Sequence, residues 1–76
     1  MSTGTIKLSS LVKFIEANNF YKCRQKGSHA TYKNDALKLI IVIPVNRKDA
    51  LEYLVADVRK LLKLSKNEFE VAIKKF

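Results

Sequence analysis

The sequence predicts an α+β fold of two layers, in which helices cover one face of a three-stranded antiparallel sheet. Three observations predict it. Apolar residues near both ends of the chain recur at the i, i+3, i+4 and i+7 spacing of helices. The middle of the chain either alternates in polarity or is rich in β-branched residues, as strands are. Two glycines and one proline in 76 residues argue against a disordered chain. The length predicts a single domain over residues 1–76.

The first helix is predicted from the apolar spacing over residues 8–15. Ser9 or Ser10 is expected to cap its start, because a hydroxyl can accept a hydrogen bond from a free backbone N–H. Asn18 and Asn19 are expected to end it, since asparagine tolerates the left-handed conformation that closes many helices.

Three strands joined by short turns are predicted next: 20–25, 29–33 and 38–43. The third is nearly continuous in leucine and β-branched residues. We therefore expect it to be better covered than its neighbours. Pro44 ends it, because proline lacks the N–H that a sheet requires.

A second helix is predicted from Asn46, a plausible N-cap, with Asp49 in the first turn. Its apolar stripe is Leu51, Leu54, Val55, Val58, Leu61 and Leu62. Ser65 and Glu68 have the spacing of a capping box, which predicts a short third helix. The residues expected to face inward on it are Phe69, Ala72, Ile73 and Phe76. The order α-β-β-β-α-α is close to that of double-stranded-RNA-binding domains.

The net charge of +8 predicts a polyanionic partner, of which nucleic acid is the commonest. Residues 1–34 carry +5 of it, and no acidic residue occurs between Phe20 and Lys33. The alternative is that the charge only keeps a small protein soluble.

One cysteine and one histidine exclude an internal disulfide, a cysteine-rich zinc site and a two-histidine acid–base pair. The start, Met1 to Thr5, lacks the basic region and apolar run of a signal peptide. The longest apolar run, 39–43, is far shorter than the ~20 residues that span a bilayer. We expect a soluble, reduced, cytoplasmic protein without a cofactor or a metal.

The candidate binding residues Lys22, Arg24 and Lys26 alternate along the first strand, which predicts one basic face. Such a row can neutralise successive phosphates. The alternative is a solvated strand face that discourages edge-to-edge aggregation.

His29 follows the Gly27-Ser28 turn and is the one side chain whose ordinary pKa suits proton transfer near neutral pH. Gly27 permits close approach of the backbone to a ligand, and Ser28 offers a hydroxyl. A phosphodiester could sit beside His29, with its charge held by Lys26 or Arg24. The alternative is a polar surface histidine without catalytic function.

The remaining candidates are weaker. Cys23 alternates with the basic residues, so it is expected to face the helices as a small buried residue. Phe20 and Tyr32 are expected in the core or at its edge. Tyr21 could stack on unpaired bases.

Taken together, these residues resemble the HicA family of bacterial toxin–antitoxin systems. The resemblance extends from about Lys7 to Phe69 and rests on these matches: Ile15–Phe20, Arg24–His29, Tyr32, Pro44, Arg59–Leu62, Leu64-Ser65 and Glu68-Phe69. Asn19 stands where the family often has glycine. The segment 45–50 also departs, with Arg47-Lys48 where the family commonly carries polar or histidine residues.

The resemblance implies a double-stranded-RNA-binding-domain-like fold, cleavage of RNA and inhibition by a HicB-type antitoxin. The family's catalytic histidine falls on His29, and its glycine turn falls on Gly27-Ser28. The chain is then expected to be an mRNA interferase, a metal-independent endoribonuclease in which the RNA 2′-OH is the nucleophile. Lys26, Arg24 and Lys22 would bind phosphate.

With one histidine, three arrangements of proton transfer stay open. His29 acts as base and acid in turn, water or a lysine assists, or a second subunit contributes. The expected partners are mRNA and the antitoxin, in complexes that can assemble further. Two other functions stay open, a non-catalytic RNA-binding module and an interaction protein for an acidic partner.

Overall fold

A computed structural model describes residues 6–76, so the expectation about Met1 to Thr5 lies outside the described residues. The predicted element order α-β-β-β-α-α is confirmed. Its elements are α1 (Leu8–Ala17), β1 (Tyr21–Lys26), β2 (His29–Asn34), β3 (Leu39–Pro44), α2 (Glu52–Leu61) and α3 (Lys66–Ile73). The strands form one antiparallel sheet in the order β1-β2-β3. Among residues 6–76, no helix has the length and apolar character needed to cross a membrane.

The start of α1 is stabilised by backbone contacts with a distant segment and not by a serine side chain. Lys7 is the N-cap residue and no side chain caps the helix, so the prediction for Ser9 or Ser10 is wrong. The Leu8 N–H donates to the carbonyl of Lys48 at 3.0 Å, and Lys7 forms an isolated β-bridge with Asp49. This pairing satisfies one of the N–H groups at the helix start that have no partner within the helix.

The end of α1 is formed by asparagines, as predicted. Asn19 has a φ of 72°, in the left-handed region that asparagine tolerates. The buried Asn34 then fastens this end to the sheet, because its Nδ2 donates to the Asn18 carbonyl at 2.9 Å. Its Oδ1 accepts from the Leu37 N–H at 2.9 Å, which shapes the turn between β2 and β3.

The second helix begins later than predicted. Its N-cap is Leu51, without a side-chain cap, so the predicted cap at Asn46 is wrong. The preceding segment is bound elsewhere: the Val45 N–H donates to the Ser28 carbonyl at 2.7 Å, and the Ala50 N–H donates to the Ile6 carbonyl at 2.8 Å. The Ala50 N–H is the group that a helix capped at Asn46 would have bonded to the Asn46 carbonyl, so its tertiary hydrogen bond replaces the first helical one.

The core lies between the helices and one face of the sheet. Its fully buried side chains are Leu11, Ile15, Ile43 and Val58. The ring of Phe14 packs edge-to-face against Phe69, with 5.3 Å between centroids, which joins α1 to α3.

The third helix begins with the predicted capping box. The Glu68 N–H donates to Ser65 Oγ at 3.1 Å, and the Ser65 N–H donates to Glu68 Oε1 at 2.8 Å. Phe69 is buried as predicted. Phe76 contacts the Phe14 ring at 5.9 Å between centroids but is 40% exposed.

The prediction that β3 is better covered than its neighbours holds relative to β1, whose residues are all exposed, but is wrong relative to β2. The strand lies at an edge of the sheet, with β2 in the centre. Ile41 and Ile43 are buried, whereas Ile40 and Val42 are 60% and 49% exposed. The helices cover one face of the sheet, so a continuous apolar run still places alternate side chains on the other face.

Candidate functional site

The face of the sheet opposite the helices is called here the outer face. Along β2, Ala30, Tyr32 and Asn34 are buried, so the residues that alternate with them project to the outer face. Residues directly opposite each other in antiparallel strands share a face. The register therefore gives three rows across β1, β2 and β3: Lys26–His29–Pro44, Arg24–Thr31–Val42 and Tyr21–Lys33–Ile40.

The predicted row of three cations on one face is wrong for Lys22. A β-bulge between Lys22 and Arg24 adds one residue to β1, so Lys22 lies opposite the buried Tyr32. Its Nζ donates to Gln25 Oε1 at 3.2 Å, and Gln25 lies opposite the buried Ala30. Lys22 is therefore on the other face of β1, away from Arg24 and Lys26.

The same bulge overturns the prediction that Cys23 is a buried residue facing the helices. Cys23 is the residue of β1 that is paired with no residue of β2, and its free thiol is exposed. One extra residue in a strand interrupts the alternation from which the buried position was inferred.

His29 is exposed and occupies the first position of β2, next to a two-residue turn. Gly27 has a φ of 59°, and Ser28 is not among the residues with positive φ, which is the sign pattern of a type II′ hairpin turn. A Cβ added at Gly27 would meet no atom within 4 Å, so the glycine is required for its backbone conformation and not for space.

Both turn residues are held through their carbonyls. Gln25 Nε2 donates to the Gly27 carbonyl at 3.0 Å, and the Val45 N–H donates to that of Ser28 at 2.7 Å. The segment after β3, which carries Arg47 and Lys48, therefore leaves the sheet beside the His29 turn. The predicted site residues Gly27, Ser28 and His29 are thus brought together with Lys26.

The outer face also contains neighbours of His29 that sequence reasoning did not identify. Pro44 lies opposite His29 on β3, and Thr31 is the next outer-face residue along β2. These positions follow from the strand register, which alternation alone does not give.

Tyr21 lies at the end of the outer face that is farthest from His29. Its hydroxyl donates to both carboxylate oxygens of Asp35, at 3.1 and 3.0 Å. That hydrogen bond is the main cause of a pKa of Tyr21 above its ordinary value, with desolvation second. Phe20 and Tyr32, predicted in the core, are buried, and desolvation raises the pKa of Tyr32.

Chemically, the site combines one imidazole with the two β1 cations of the outer face, which also carries Lys33 of β2. Lys26 is directly opposite His29, and Arg24 lies two residues from Lys26 along β1, so both can hold an anionic ligand near the imidazole. Within residues 6–76, no group of three or more His, Cys, Asp and Glu side chains could hold a metal ion.

One family model, described as HicA toxin of bacterial toxin-antitoxin, matches residues 9–65. The match covers well over half of the chain and includes all three strands and the His29 turn. No curated protein and no solved structure matches the chain at a significant level.

Proposed function

Since the chain belongs to the HicA toxin family of bacterial toxin–antitoxin pairs, we propose that it is an mRNA interferase, an endoribonuclease that acts on mRNA. The observation that carries the proposal is the position of His29. It is exposed and lies opposite Lys26. Every charged side chain that the strands place on this face of the sheet is basic. A polyanion can reach this imidazole without any rearrangement of the fold.

Phosphate binding is proposed for Lys26 and Arg24, which share the outer face with His29. Each neutralises part of the RNA backbone charge, and this gives affinity that depends on salt and not on sequence. Lys26 is the nearer cation, so it also stabilises the charge that develops on the scissile phosphate. Lys22, on the other face of β1, is not part of this contact.

The proposed reaction is an internal phosphoryl transfer. His29 accepts the proton of the RNA 2′-OH, the 2′ oxygen attacks the adjacent phosphorus, and the bond to the 5′ oxygen of the next nucleotide breaks. The proton returns to that 5′ oxygen, so the products are a 2′,3′-cyclic phosphate and a 5′-hydroxyl. In this proposal His29 acts as base and then as acid, so the step needs no metal ion.

The turn residues Gly27 and Ser28 shape the site. The positive φ of Gly27 lets β1 and β2 join in two residues, and this places Lys26 opposite His29. We further propose that a HicB-type antitoxin, in the cytoplasm, covers the outer face and prevents access to His29.

The test is incubation of the purified protein with a single-stranded mRNA fragment in excess chelator, followed by mapping of the product ends. Cyclic phosphate and 5′-hydroxyl ends support the proposal. Salt-sensitive binding with intact RNA recovered would instead support a non-catalytic RNA-binding module. Absence of RNA binding at low salt would contradict both.

A further inference from the structure

The β3 column of the outer face is apolar. It consists of Ile40, Val42 and Pro44 and is called here the apolar column. Ile40 and Val42 are 60% and 49% exposed, and Pro44 is half-buried. Alternate residues of a strand lie about 6.6 Å apart, so the column is about 13 Å long. Single exposed apolar residues are common on proteins, but a contiguous strip beside charged groups marks an interaction surface.

The apolar column lies along the edge of the outer face, and the cations lie on the two other strands. Lys33 of β2 is directly opposite Ile40, one strand spacing away, whereas the β1 residues of each row are about 10 Å away across two strand spacings. A molecule that covers the whole outer face must therefore be apolar over β3 and anionic over Lys33, Arg24 and Lys26. It also covers His29, which lies between Lys26 and Pro44.

RNA satisfies only half of this pattern. Its phosphates suit the cations, but unpaired bases stack on aromatic rings and guanidinium planes, and the column has neither. A second copy of the chain is disfavoured as well, because two molecules of +8 repel each other. An acidic protein with apolar side chains at its contact surface fits both the apolar column and the cations.

We propose that the apolar column is the anchor for the antitoxin, whose apolar side chains cover Ile40 and Val42 while its acidic side chains face the β1 cations. The inference rests on the proposed function only in taking the occupant to be the antitoxin of the pair. Inhibition then follows because RNA and the antitoxin bind the same surface. A protein bound to both the apolar column and the β1 cations buries His29. The cations serve both ligands, whereas the apolar column serves the antitoxin alone.

The test is the double variant Ile40→Thr/Val42→Thr, in which both positions stay β-branched and suited to a strand. Its affinity is measured for the HicB-type antitoxin of the pair, together with its RNA cleavage rate and its thermal midpoint. Each change removes apolar area from the interface and adds a hydroxyl that binding would desolvate, so we expect antitoxin affinity to fall by at least about 10-fold. RNA cleavage is expected to change by less than about twofold, which leaves a toxin that its antitoxin no longer neutralises.

The matched control is Val71→Thr, the same chemical change at a 63% exposed residue of α3. It should leave antitoxin affinity unchanged. Unchanged affinity in the double variant would overturn the inference, and so would a loss of RNA cleavage equal to the loss of affinity, which would make the column an RNA contact. If the wild-type protein cleaves no RNA, the proposed activity fails, but the antitoxin measurement still decides this inference.

Discussion

Lys26 and His29 lie directly opposite each other across the β1–β2 hairpin, on the outer face of the sheet. Side chains in such positions have Cβ atoms about 4.5–5.5 Å apart. A phosphate bound by the ammonium group is therefore within reach of the imidazole. The two-residue turn at Gly27 and Ser28 creates this pairing, so the proposed phosphate binding and the proposed proton transfer both depend on one local structure.

The two β1 cations of the outer face, Lys26 and Arg24, should matter for RNA binding, whereas Lys22 should not. We expect Lys26→Gln and Arg24→Gln each to weaken binding of a non-cleavable 2′-O-methyl RNA by roughly 10-fold, because each removes a charged phosphate contact. Each should also reduce the slope of log K against log salt by about one. Lys22→Gln is the matched control, and an equal effect in that variant would contradict the assignment of faces.

Gly27 is predicted to be replaceable only at a cost in backbone energy. Gly27→Ala should destabilise the fold by about 1–2 kcal/mol, because an L-residue is strained at a φ of 59°. Gly27→Asn should cost less, since asparagine tolerates this region. Urea unfolding of the three proteins measures both values. Alanine and asparagine variants as stable as the glycine protein would show that the turn has no need of positive φ.

The core prediction concerns Leu11, a fully buried residue of α1. Leu11→Ala should lower the free energy of unfolding by about 2–5 kcal/mol, through lost transfer energy and the cavity left behind. The control is Leu37→Ala at a 54% exposed position in the turn before β3, where a change within about 0.5 kcal/mol is expected. Similar losses in both variants would contradict the described core.

The capping box of α3 predicts a pH dependence. Hydrogen bonds from the Ser65 backbone and side chain lower the pKa of Glu68 from its ordinary 4.5. The ionised carboxylate therefore stabilises the folded state above pH 4.5, and this contribution is lost as the pH falls through the lowered pKa. The stability difference between wild type and Glu68→Gln should be largest near neutral pH and shrink toward pH 3. A difference that is constant with pH would argue against the charged cap.

Antitoxin binding should depend on ionic strength, since a +8 protein attracts an acidic partner and salt screens that attraction. Titrations at low and high salt measure the effect. The Ile40→Thr/Val42→Thr variant should bind more weakly at every salt concentration with the same slope, because it loses no charge. An affinity that is equal at low and high salt would count against the electrostatic part of this picture.

Periodicity predicted the element order, and local chemistry predicted several boundaries. Asn19 adopts the left-handed conformation expected from its residue type, and Ser65 and Glu68 form the expected capping box. The start of α2 could not be predicted in this way. The segment before it is held by hydrogen bonds to residues near Ile6 and Ser28, which are distant in sequence.

The turn that carries the candidate site was predicted from the sequence, but the residues around it were not. The histidine after a glycine turn could be found from the sequence, and the structure does place Gly27, Ser28 and His29 beside Lys26. Strict alternation along β1 assigned Lys22 to the wrong face, because nothing in the local sequence indicates the bulge. The exposure of Ile40 and Val42 depends on which face the helices cover, a tertiary property that an apolar run does not reveal.

The central claim is that His29 carries out proton transfer in RNA cleavage. It is tested most directly by comparing His29→Ala with the wild-type protein in cleavage of one mRNA substrate, with thermal midpoint and RNA affinity measured on the same preparations. His29 is exposed, so the variant should fold. We predict a cleavage rate lower by about 10²–10⁴-fold with RNA affinity nearly unchanged. Undiminished cleavage by the folded variant would contradict the account.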